Sequence, residues 1–221
     1  MSSLGQLLAA ALVLGALHSV GPDHLAAVGV FVSRRPSWRR AASLGARWGM
    51  GHSLSIIVVG GAVMLSGWRL PARFAPLAER LIGVVLIALG LMAVWRAWRL
   101  HAHAHTHDGA THWHVHSHAG SEAHDHGHGA LFGIGMLHGL AGTGALVALL
   151  PAFASTRANG VLFLIVFGLG TISSMALFGA TAGHLLAAAT RGRAPIHRAA
   201  LALAGCASVL VGAWWLASGG A

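Results

Sequence analysis

Between Leu17 and Val28 the chain reads LHSVGPDHLAAV, which sets His18, Asp23 and His24 among Leu, Ala, Val and Gly. Two imidazoles and a carboxylate can hold a metal ion, move a proton or form an ion pair. In an apolar setting each is costly unless it does one of these things. His52, in WGMGHS, and His138, in GMLHGLAGTGAL, stand in equally apolar runs. Imidazoles with one carboxylate make a nitrogen-rich ligand set. Such a set suits nickel, copper, zinc and cobalt, whereas calcium and magnesium prefer oxygen. Burying Asp23 without a counter-charge would be expensive, so His18, Asp23, His24 and His52 are expected to act together, with His138 as a further candidate.

On a regular helix these residues could not converge. Each residue turns about 100°, so His18 and Asp23 would point some 140° apart, with His24 further round. Pro22 resolves the difficulty. It deprives the His18 carbonyl of its helical donor, and with Gly21 beside it the helix is expected to break at Gly21-Pro22. Asp23 then falls in the first turn of a second half-helix, where the dipole favours its charge. A broken helix carrying ligands at mid-depth suits a transported cation.

The elements that must position these groups are read from composition. Of 221 residues, 56% are hydrophobic and only 9% charged, which excludes two soluble domains and makes an all-α polytopic membrane protein the expectation. Six apolar segments can cross a hydrocarbon core: 4–33, 41–66, 78–98, 129–153, 160–190 and 199–217. His18, His52 and His138 fall near the midplane of their segments. No Lys or Arg precedes Arg34, so the first segment is expected to be retained as a span and not removed as a signal peptide.

The net charge of +9 comes from arginines clustered between the spans, a pattern of membrane orientation and not of a nucleic-acid groove. Arg34, Arg35, Arg39 and Arg40, then Arg96 and Arg99, then Arg191, Arg193 and Arg198 mark the first, third and fifth connections. The positive-inside rule puts these in the cytoplasm of a cell inner membrane, with both termini outside. One cysteine, Cys206, excludes disulfide frameworks, Cys-based zinc sites and thiol relays, each of which needs a pair.

The halves also match each other. GALHSVG at Gly15 aligns with GMLHGLAG at Gly135, WGMGHS at Trp48 with FGLGTI at Phe167, and Gly83 and Gly90 with Gly205 and Gly212. An odd number of spans per copy inverts the second copy, so two inverted three-helix repeats are expected, over 1–100 and 129–221. Between them, residues 101–128 hold eleven histidines and little apolar content. This segment is expected to be a disordered cytoplasmic loop that captures or buffers metal.

HSVGPDH has the His-x4-Asp-His pattern of the nickel/cobalt transporter family, and WGMGHS resembles that family's second characteristic segment. GMLHGLAGTGAL is similar to the short, six-span branch of urease-accessory-type nickel permeases. The resemblance covers nearly the whole chain apart from the histidine-rich segment. It implies transport of Ni(II) or Co(II) as cargo, with no resident cofactor, and recognition of the metal by His18, Asp23, His24 and His52. The expected partners are a transition-metal ion, the bilayer, and a cytoplasmic nickel chaperone or a urease or hydrogenase maturation protein. Where eight-span permeases carry acidic residues in a later motif, this chain has FGLGTISSM.

Uptake is preferred, and efflux is the alternative within the class. A membrane metalloenzyme and a metal sensor or chaperone are the alternatives outside it. The absence of a His-Glu-x-x-His motif, and of any Glu near the histidines, weighs against an enzyme, and no GxxxxGK[ST] motif supplies a nucleotide site.

Overall fold

The computed structural model describes residues 4–34, 37–67, 71, 73–99, 101–107, 110–116, 127–154, 156–190 and 193–218. Among them are α1 (Leu4–His18), α2 (Pro22–Arg34), α3 (Trp38–Ser66) and α4 (Phe74–Arg99). Strands β1 (His101–His107) and β2 (Ala110–His116) follow, then α5 (Gly127–Phe153), α6 (Arg157–Ala189) and α7 (Ala194–Ser218). The helices coincide with the apolar segments because helical backbone satisfies its own hydrogen bonds where water is absent. α3, α4, α6 and α7 are each long and apolar enough to cross a membrane. α1 and α2 pass the same test as a pair bent by 61°.

The break between α1 and α2 has a local cause. Pro22 cannot donate, so the His18 carbonyl accepts instead from the Gly21 N–H at 3.2 Å, and the chain turns. Pro22 then opens α2 at the position where a missing N–H costs nothing. Asp23 lies in that first turn, as the spacing predicts.

The helices approach closely where glycines face carbonyls. A side chain on Gly83 would meet the Gly212 oxygen at 2.9 Å, and one on Gly212 would meet that of Gly83 at 2.6 Å. Gly90 and Gly205 reciprocate at 2.5 and 2.7 Å. Small residues of this kind let backbones pack where lipid supplies no hydrophobic drive between helices. Hydroxyls add bonds across the same contacts: Ser208 donates to the Leu86 carbonyl at 2.8 Å, joining α7 to α4, and Ser53 to the Gly168 carbonyl at 3.1 Å, joining α3 to α6.

The interior holds Val28, Phe31, Trp48, Leu89, Leu131 and Met175 in one cluster, drawn from α2 through α6. Outward, Leu17, Val58, Leu91, Leu177, Leu203 and Leu210 are each more than half exposed. An apolar exterior around a polar-bearing centre is the inverse of a water-soluble protein and fits a lipid environment. Trp38, Trp95, Trp98 and Trp214 are also exposed, while Trp68 lies outside the described residues.

Two expectations change. Residues 101–107 and 110–116 form a two-stranded antiparallel ladder, where the sequence reads as an unstructured loop. The alternation of histidine with Ala, Thr, Trp and Val has the period of a strand, a pattern that composition alone conceals. Its register sets His101 opposite His116, His103 opposite His114 and His105 opposite His112. His197, which falls between the expected segments 160–190 and 199–217, lies instead within α7 and donates from Nε2 to the Ser33 carbonyl at 2.8 Å, tying α7 to the end of α2.

Candidate metal centre

Three helical features bring the site together. The break ends α1 at His18 and starts α2 at Pro22, so His18, Asp23 and His24 converge from two helix ends instead of diverging round one. α3 delivers Trp48 and His52 one turn apart on the same face. α5 delivers His138. It can come this near because Gly135 and Gly139 face the backbone carbonyls of Trp48 and His52, and Gly51 faces that of Phe132. Any side chain at these glycines would overlap an oxygen atom of the facing helix.

All five candidate residues meet. Ring centroids lie 4.7 Å apart for His18 and His24, 5.0 Å for His24 and His52, 5.3 Å for His18 and His52, and 4.4 Å for His24 and His138. Asp23 is central: its Oδ2 accepts from His138 Nε2 at 2.6 Å, and its Oδ1 lies 3.0 Å from His24 Nδ1. Gly21 leaves room for that carboxylate, since a side chain there would stand 2.6 Å from Asp23 Oδ1. Asp23, His24, His52 and His138 are buried, and His18 is partly exposed.

Two overlapping groups have the compactness of a metal site. His18, His24 and His52 form one, and Asp23, His24 and His138 the other, with the donor atoms of each group within 4.8 Å of one another. The ring nitrogens carry the clearest signal. His18 Nε2, His24 Nε2, both nitrogens of His52, and His138 Nδ1 are buried without a hydrogen-bond partner. Buried polar atoms are normally paired, so a cluster of unpaired imidazole nitrogens around one carboxylate has the chemistry of a cation site.

The structure adds a residue that the sequence reading passed over. Trp48 is fully buried, its ring stacked on His52 at 5.0 Å and set edgewise against His24 at 4.9 Å and His138 at 5.2 Å. The available signal was its place four residues before His52, one helical turn away. Thr171, within FGLGTISSM, donates to the Gly15 and Phe167 carbonyls at 3.1 and 3.2 Å, and so joins α6 to α1.

The family described as the cytochrome C biogenesis protein transmembrane region matches this chain over residues 7–214. The chain belongs to that family. With its apolar helices, this makes it a multi-pass membrane protein. It is 27% identical to the urease accessory protein UreH of Bacillus sp. (strain TB-90), over 90% of this chain and 86% of the relative. It is also 31% identical to the chloroplast proteins FOR GROWTH AND FERTILITY 1 and 2 of Arabidopsis thaliana, over 76% and 73% of this chain. The match spans less than half of either chloroplast protein, 47% and 42% of their lengths. No solved structure matches.

Proposed function

We propose that this protein is a secondary transporter that carries Ni(II) or Co(II) across the cytoplasmic membrane through the site at the α1–α2 break. The observation that carries the reading is the convergence of four imidazoles and one carboxylate at a helix break, with five of the ring nitrogens buried and unpaired. A broken helix with ligands at its two ends is how membrane transporters present a cation site. The motif resemblance to six-span nickel permeases and the relative named as a urease accessory protein point the same way. The family description, cytochrome C biogenesis, does not bring thiol chemistry with it. That chemistry needs two sulfurs, and this chain has Cys206 alone.

The proposed architecture is six spans in two inverted repeats, with α1–α2 together forming the first and α5 the fourth. The reciprocal contacts of Gly83 with Gly212 and of Gly90 with Gly205 support it. Under the sequence equivalence of Gly83 with Gly205 and of Gly90 with Gly212, a two-fold axis exchanges these two contacts. The arginine distribution supports termini outside and the histidine-rich segment in the cytoplasm, beside a nickel chaperone or a urease or hydrogenase maturation protein.

The test is flux. Protein in sealed liposomes should admit radioactive nickel or cobalt, and His24→Ala should abolish entry at equal incorporation. A tight vesicle that admits no more metal with protein than without would end the transport reading and leave the sensor and enzyme alternatives. Uptake is the preferred direction. The histidine-rich segment favours export as the second reading, because a metal-capturing arm in the cytoplasm could load an outward carrier. Proteoliposomes with a defined protein orientation, loaded with nickel and assayed for exit, decide between them.

A further inference from the structure

The two groups of ligands share one member. His24 belongs both to the His18, His24, His52 group and to the Asp23, His24, His138 group, and among the described residues no other side chain does. A neutral imidazole offers one lone pair, so it serves one ion at a time. The two groups are therefore alternative positions for a single ion.

They differ in exposure and in readiness. The first group includes His18, the one partly exposed residue of the five; its Nε2 is buried and unpaired and faces Gly142, which presents no side chain. Every member of the second group is buried, and its ligands are tied to each other by the 2.6 Å bond from His138 Nε2 to Asp23 Oδ2. An ion in the first group leaves the Asp23–His138 hydrogen bond intact, since neither residue belongs to that group. To enter the second, it must exchange that hydrogen bond for metal–ligand bonds.

We infer that the ion occupies the two groups in succession: it is received by His18, His24 and His52, and handed through His24 to Asp23 and His138. The Asp23–His138 bond closes the second position until the ion arrives. This deepens the proposed transport reading and rests on it. It assigns different jobs to two histidines that a single site would treat alike. His52 determines whether the metal is bound, and His138 whether bound metal moves on.

The test uses the full chain in liposomes and nanodiscs, with Co(II) as the probe because its visible absorption reports on its ligands. The His24→Ala variant, which removes both groups, provides the baseline that subtracts cobalt held elsewhere, including on the histidine-rich segment. His52→Ala should weaken the His24-dependent binding by about tenfold or more, the scale seen when a metal site loses support, and flux should fall with it. His138→Ala should keep that binding within about threefold while flux falls by about tenfold or more. His138→Gln, which keeps an N–H for Asp23 but removes the imidazole ligand, should repeat the His138→Ala result and guards against misfolding. Equal weakening of binding in the His52 and His138 variants would overturn the inference in favour of one shared site. Wild-type flux in both His138 variants would overturn it by removing the second group from the pathway. If the wild type shows no His24-dependent binding and no flux, the transport reading itself falls, and the handover with it.

Discussion

Asp23→Asn isolates the charge of the site from its shape. Asparagine has the same outline, and its carbonyl oxygen can still accept from His138, so the bond at 2.6 Å changes from charge-assisted to neutral. That exchange costs about 1 kcal/mol, the difference between hydrogen bonds to charged and to neutral partners. The fold should therefore survive with a small loss of thermal stability. The effect on metal should be larger. Two unit charges about 4 Å apart attract by about 4 kcal/mol at an effective dielectric of about 20, and a divalent ion doubles this. His24, the ligand common to both groups, lies 3.0 Å from Asp23 Oδ1, so an ion held by His24 in either group stands close to the carboxylate. The amide dipole recovers part of the attraction. If only a quarter were lost, about 2 kcal/mol, the dissociation constant would rise by about thirtyfold. The assay is equilibrium nickel binding to the wild type and to the variant, each measured with His24→Ala as the baseline for metal bound elsewhere. A folded Asp23→Asn protein whose affinity stays within threefold of wild type would show that the carboxylate charge contributes nothing to holding the bound ion.

Deleting residues 102–127 should leave nickel flux measurable while reducing the metal bound per chain; complete inactivity of a correctly inserted deletion variant would put the histidine-rich segment in the pathway. Gly135→Val should drive a side chain into the Trp48 carbonyl and push α5 from α3, at a cost of about 3 kcal/mol or more, because a helix backbone cannot yield as a core side chain does. A wild-type melting temperature for that variant would refute the helix contact. Trp48→Phe should keep a ring on His52 and hold nickel affinity within about threefold, whereas Trp48→Ala should open a cavity costing about 3–5 kcal/mol; equal behaviour of the two would deny the ring its supporting role. Thr171→Val should cost only about 0.6 kcal/mol, the average for hydrogen bonds between membrane helices, and leave flux intact. Abolished flux in a stable Thr171→Val protein would place that hydroxyl in the pathway.

The local parts of the site were legible in the sequence. Pro22 acts on the residue four places before it, and Asp23 needs only its position in the following turn, so both could be placed without knowing what packs on them. The helix ends were close for the same reason: apolar runs stop where polar residues and arginines begin. The pairing of Asp23 with His138 was not legible. It requires α5 to lie against α3 at glycine distance, and nothing within GMLHGLAG says which carbonyls its glycines meet. Trp48 was hidden by the opposite problem. Tryptophan in a membrane chain is read first as an interfacial anchor, and only the packing of three imidazoles around its ring distinguishes this one from Trp38 or Trp98. The ladder over 101–116 was missed because abundant histidine dominated the reading, although its two-residue alternation was present in the letters.

A family described by cytochrome c biogenesis and a relative named for urease pull towards different chemistries, and the helix break reconciles them. A fold supplies positions, and the residue types at those positions supply the reaction. Two helix ends meeting inside a helix bundle create a place where side chains from both sides of a break can face one another, buried among the helices. Paired sulfurs at such a place could exchange electrons. This chain has none there, because its single cysteine, Cys206, is exposed on α7. What it places at the break is His18 on one side and Asp23 and His24 on the other, with His52 and His138 brought from α3 and α5. Imidazoles and a carboxylate cannot relay electrons between thiols, but they can hold and release a divalent ion. The chemistry follows the residues at the break, and here those residues have the donor chemistry of a divalent-cation site.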